Sequence, residues 1–125
     1  MMTPDWDNIE ESVLSKLKPF QRRTANWAFS RLYPDAGEPG SRRFLVADEV
    51  GLGKTLIAKG IIAKALRHLQ AKVKRIDIVY ICSNRDIARQ NLARLRIDGL
   101  DGVDFTPHDR LTLLPLVGNW HNDNR

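Results

Sequence analysis

The sequence predicts an α/β fold, in which a parallel sheet with flanking helices follows an N-terminal helical segment. Three observations predict it. Two short runs, residues 43–47 and Ile76-Asp77-Ile78-Val79-Tyr80-Ile81-Cys82, have the apolar and β-branched character of buried strands. Helical patterns follow each run, over residues 54–70 and near residues 85–97. The loop Asp48-Glu49-Val50-Gly51-Leu52-Gly53-Lys54-Thr55 joins the first run to its helix. Strands alternating with helices imply parallel pairing through right-handed crossovers, with ligands at the carboxyl ends of the strands.

Thr3-Pro4 can cap and start a first helix, with Pro in the first helical position. Trp6, Ile9, Val13 and Leu17 then recur at spacings of three and four, which is one helical face. Pro19 marks a break and a restart. Phe20, Thr24, Trp27, Ala28 and Leu32 line one side of a second helix that stops before Pro34. Trp6 and Trp27 lie on these stripes and are read as core anchors rather than base-stacking platforms. Residues 34–41 contain two Pro and two Gly and read as a loop. On the third helix Ile57, Ile61, Ala65 and Leu69 form one stripe, with Lys59, Lys64 and Arg67 elsewhere. Ser83 or Asn84 can cap the fourth helix, with Ala88, Leu92 and Leu95 facing inward. Asp98 to Gly102 is a turn, Val103-Asp104-Phe105 reads as a third strand, and Leu111 to Val117 is apolar enough to pack.

The loop carries the chemistry. Gly51 and Gly53 permit turns that a Cβ would block. Loop N–H groups and the following helix N-terminus can then point at a polyanion. Lys54 can reach the β- and γ-phosphates of a nucleoside triphosphate, and the Thr55 hydroxyl can ligate Mg²⁺. The general phosphate-loop pattern has Gly where this chain has Asp48.

Composition narrows the class. The 125 residues allow one domain, and an apolar fraction of 42% is that of a soluble globular protein. No stretch has the length of a membrane span, and the acidic N-terminus has no secretory apolar core. The single cysteine, Cys82, excludes an internal disulfide and an all-cysteine metal site. His68, His108 and His121 have no metal-ligand spacing. A cytoplasmic location is the expectation. The net charge of +5 is unevenly distributed, because residues 16–96 hold 18 Lys/Arg against six Asp/Glu. A basic unit of this kind suits a phosphodiester partner or forms a solvated basic surface.

Three stretches in this order resemble the first RecA-like domain of superfamily 2 helicases and translocases, the Snf2-like and DEAD/DEAH-type members in particular. Ala47 to Thr55 is similar to motif I of that family, in which Asp takes the place of the first Gly. Leu17-Lys18-Pro19-Phe20-Gln21-Arg22-Arg23 resembles the Q motif, which implies that Gln21 reads the adenine edge. Ile81 to Gln90 resembles motif Ia, which implies nucleic-acid backbone contact by Ser83, Asn84, Arg85 and Arg89. For Arg85 and Arg89 a solvated basic face is the competing reading. The resemblance covers roughly residues 15–95. It implies a P-loop RecA-like sheet within 42–125, a partial ATP-binding domain, behind a 1–35 helical segment that carries the Q-like motif. It further implies ATP and Mg as cofactors, held by Gln21, Asp48, Glu49, Val50, Gly51, Leu52, Gly53, Lys54 and Thr55, with Lys54 and Thr55 catalytic and a DNA or RNA partner.

The family's Asp-Glu-x-His/Asp tetrad does not follow Arg96, and its second domain is absent. The expectation is therefore the ATP-binding portion of a truncated helicase or translocase, which binds ATP weakly and hydrolyses it poorly or not at all. Another P-loop NTPase, or a non-enzymatic nucleic-acid-binding remnant, is the alternative.

Overall fold

The computed structural model describes residues 4–49 and 51–100, and these form four helices. They are α1 (Trp6–Ser15), α2 (Pro19–Leu32), α3 (Lys54–Leu69) and α4 (Arg85–Leu95). Helix α3 is central, with α1, α2 and α4 packed on it. Thr3, Val50, the strand expected at 103–105, the apolar run 111–117, His108 and His121 lie outside the described residues.

The predicted parallel sheet, RecA-like or otherwise, is overturned: among the described residues no strand forms. Residues 43–49 and 75–82 follow irregular paths, and no backbone hydrogen bond joins one run to the other. β-Branched residues favour an extended backbone, but cohesion comes from ladder bonds and cross-strand contacts. Neither run has them here. Leu45 is 83% exposed, Val79 79% and Ile81 76%, so the side chains expected in a core face solvent. Phe44 and Ile76 are half-buried, and Val46 packs against the helical core.

The helices follow local rules. Asp5, rather than Thr3, caps α1, and its Oδ1 accepts from the Asn8 N–H at 3.1 Å. The helix ends at Ser15, before Leu17, but Leu17 still enters the core. Arg22 donates to the Leu14 carbonyl at 3.0 Å, adding a side-chain bond to an acceptor at the end of α1 that also receives Leu17 N at 3.1 Å. Pro19 opens α2 at its first helical position, where a missing N–H costs nothing. Asn84 caps α4 through bonds from the N–H groups of Asp86 and Ile87, and Leu95 is buried.

The core is small. Leu14, Leu17, Ala25 and Ile57 form its centre, with Val46 and Ile61 against it. The buried face of α2 is Gln21, Ala25 and Ala28; it keeps Ala28 of the expected stripe but is turned away from Phe20, Thr24 and Trp27. Trp27 is consequently not a core anchor; it is 61% exposed. The reason is the close approach of α2 to α3. A Cβ on Gly60 would lie 3.2 Å from the Ala25 Cβ and 2.9 Å from Leu17 Cδ1. Small residues meet there, and an indole would hold the helices apart.

Ion pairs hold α1 to the second half of α3. Glu10 receives Lys64 at 3.1 Å and Arg67 at 3.3 Å, and Asp7 also receives Arg67. The Asp7 charge, followed by that of Glu10, raises the affinity of the Arg67 guanidinium for its proton. Glu10 and Lys64 are mostly shielded from solvent, so their attraction is less screened than a surface pair. Replacing Glu10 with Gln is expected to cost about 1–2 kcal/mol, read from urea unfolding. An unchanged midpoint would show that these contacts add nothing to the docking of α1.

Candidate functional site

The loop ahead of α3 has the backbone that its glycines predict. Gly51 has φ +88° and Gly53 has φ +79°, both left-handed, and Gly53 is the N-cap of α3. The Gly53 carbonyl accepts from Leu56 N at 3.0 Å and Ile57 N at 3.2 Å, which starts the helix. The N–H groups of Lys54 and Thr55 in the first turn have no intrahelical acceptor. No acidic side chain sits in that turn, whereas Arg67 and His68 sit in the last. The positive end of the helix dipole is thus left for an anion, and the negative end carries basic side chains.

Gln21 meets this loop from 31 residues earlier in the chain. It is a buried polar residue, 3% exposed. Its Nε2 donates to the Leu52 carbonyl at 2.9 Å, and its Oε1 accepts from Lys18 N at 2.9 Å. A Cβ on Gly53 would stand 2.4 Å from Gln21 Nε2, so a side chain there would push the Gln21 amide off the Leu52 carbonyl, besides straining φ. One hydrogen on Nε2 and one lone pair on Oε1 remain uncommitted by these bonds.

Lys54 turns back on its own loop and donates to the Glu49 carbonyl at 3.0 Å. Thr55 is half-buried and Glu49 exposed, and Val50 is outside the described residues. Asp48 Oδ2 is buried with no hydrogen-bond partner, an expensive arrangement for a carboxylate oxygen. Hard oxygen donors such as this atom and the Thr55 hydroxyl suit Mg²⁺, which is usually held by one or two protein oxygens together with substrate phosphates. Among the described residues no group of three His, Cys, Asp or Glu could bind a metal without such help. Among the described residues the loop therefore holds no constellation for a metal alone.

The structure links Gln21, Glu49, Leu52, Gly53 and Lys54 through hydrogen bonds and close approach, and Asp48, Gly51 and Thr55 are their neighbours along the chain. Ser83, Asn84, Arg85 and Arg89 stand apart from the loop on α4 and its cap. The Asn84 side-chain oxygen is occupied in capping. Ser83, Arg85 and Arg89 are exposed, with the two arginines one turn apart. Cys82 is a free, half-buried thiol. A cavity of about 600 Å³ lies by the second half of α3, between Trp6, Glu10, Phe29, Lys64, Arg67 and His68. Its two cations are already paired with Asp7 and Glu10, so it is not a second phosphate site.

Nothing in the sequence signals that Gln21 would grip the loop through Leu52. The only trace is the pairing of a glycine at 53 with a long polar side chain on another helix, which becomes visible only once α2 and α3 are packed. No family model matches the chain, and no curated protein or solved structure is significantly similar to it.

Proposed function

We propose that the chain binds ATP with Mg²⁺ at the Asp48–Thr55 loop, as the ATP-binding portion of a cytoplasmic, ATP-driven nucleic-acid helicase or translocase. The observation that carries this reading is the buried Gln21 amide bonded to a loop with two left-handed glycines at the open N-terminus of α3. A polyphosphate would displace the Glu49 carbonyl from Lys54 and accept from the first-turn N–H groups. Its charge would be met by the ammonium and the helix dipole. Thr55 and the orphaned Asp48 oxygen would hold the Mg²⁺, whose chemistry there is neutralisation of the phosphate charge. The remaining donor and acceptor of Gln21 match the adenine edge, which offers one acceptor and one donor side by side. Nucleic acid would be met by Ser83, Arg85 and Arg89, where guanidinium groups can follow phosphates without reading sequence.

Calorimetric titration with Mg-ATP tests the reading. Lys54→Ala removes a charge-assisted contact and is expected to weaken binding about 10- to 100-fold. A Lys54→Ala protein that binds Mg-ATP as tightly as the wild type would sink the proposal.

A further inference from the structure

The exposed side of α2 carries a second feature. Arg23, Trp27 and Arg31 recur every four residues, a stripe about 12 Å long on one flank of the helix. Trp27 is 61% exposed. The Arg31 guanidinium carbon lies over the Trp27 ring at 6.0 Å from its centroid, at the limit of a cation–π contact. The loop after α2 folds back on the same end. Ser41 N donates to the Arg31 carbonyl at 2.7 Å, and Arg31 Nη1 reaches the Pro39 carbonyl at 3.5 Å. Gly40 permits this return, since a Cβ there would meet the Pro34 ring at 2.4 Å. Arg42 and Arg43, both exposed, are thereby delivered beside the last turn of α2. Asp35 and Glu38 lie in that loop, yet among the described residues none of Arg23, Arg31, Arg42 and Arg43 is in an ion pair. Four guanidinium groups against two carboxylates leave the patch positive.

We propose that Trp27 is a base-stacking platform for single-stranded nucleic acid, flanked by Arg23, Arg31, Arg42 and Arg43 as phosphate contacts. An indole in water exposes apolar area at a cost, and a planar base covers it better than any aliphatic side chain does. Guanidinium groups along the flank match the phosphates that accompany successive bases. An acidic peptide would satisfy the arginines and leave the indole uncovered, and a duplex hides the faces of its bases. Both are therefore disfavoured. The inference rests on the nucleic-acid half of the function proposed above and not on its ATP half, because Gln21 lies on the buried side of α2.

The test is fluorescence anisotropy with a labelled single-stranded DNA of about 12 nucleotides, repeated with the matching duplex and at several salt concentrations. Trp27→Ala and Trp27→Leu are each expected to weaken single-strand binding about 10-fold or more, while Trp27→Phe keeps most of it. Arg23→Gln and Arg31→Gln should each lower the salt slope by about one. Circular dichroism and Mg-ATP titration of the same Trp27 variants should match the wild type, since the side chain is outside the core and away from the loop. Trp27→Leu binding as tightly as Trp27→Phe, or tighter binding of the duplex than of the single strand, overturns the proposal. Wild-type protein that binds no single strand overturns it together with the nucleic-acid half of the wider reading. A Lys54→Ala result that refutes ATP binding leaves it standing.

Discussion

Replacing Ile57 with Ala is expected to remove about 2–5 kcal/mol of folding stability. Ile57 is wholly buried and is the largest such side chain among the described residues. It lies at the point where α1, α2 and α3 meet, beside Leu14, Leu17 and Ala25, with Val46 and Ile61 around it. Truncation removes the transfer energy of three carbons and leaves a void that this neighbourhood can fill only in part. The α2–α3 contact is already as close as Ala25 and Gly60 allow, so those helices cannot collapse further into the void. Against a total stability of about 5–15 kcal/mol, the loss is a large share. Urea unfolding followed by helical circular dichroism should show a lower midpoint with an unchanged slope. A midpoint equal to the wild-type value would mean that Ile57 is not the centre of the core.

The second large effect is expected at Gly53. Gly53→Val forces a β-branched residue into φ +79° and crowds Gln21 Nε2 with its Cβ. The left-handed backbone costs about 1–3 kcal/mol. Displacing Gln21 strands its buried amide, at about 1–3 kcal/mol. Gly51→Val is the matched control. Gly51 has φ +88°, but a Cβ there meets nothing within 4 Å, so only the backbone term applies. Gly53→Val should therefore be the less stable of the two and should also lose Mg-ATP binding through the displaced loop. Equal unfolding midpoints for the two variants would show that glycine is required at 53 for its φ alone and not for Gln21.

The contrast between those two glycines shows what was legible in the sequence. The loop glycines, Lys54 and the helix that follows are local in origin: backbone freedom and helical periodicity are written in adjacent residues. The same holds for Pro19 opening α2 and Asn84 capping α4. That the two strand-like runs form no sheet was not legible in this way. Ile76–Cys82 has the composition of a strand, but composition states a preference for extension and cannot supply a hydrogen-bonding partner. The inward face of α2 was misjudged for a different reason. Reading the bulkiest apolar residues as the core favoured Phe20 and Trp27, whereas the contact with α3 selects the small Ala25 beside Ala28, the one member of the expected stripe that is fully buried. The adenine and nucleic-acid contacts expected of Gln21, Ser83, Arg85 and Arg89 depend on ligands, and sequence could offer only their spacing. The grip of Gln21 on Leu52 required two helices to be packed before it could be seen.

The narrow seam between Ala25 and Gly60 has a mechanical consequence. Side chains that are long and flexible act as springs, absorbing small shifts between the elements that they join. Methyl against glycine has almost no travel, so α2 and α3 behave there as two beams bolted together. Gln21 sits one turn from the bolt on one beam, and Leu52 precedes the other. The hydrogen bond between them spans a gap whose width is set by the seam and not by the loop itself. A loop that looks free to breathe is thus held at a fixed gauge by the least conspicuous residues in the chain.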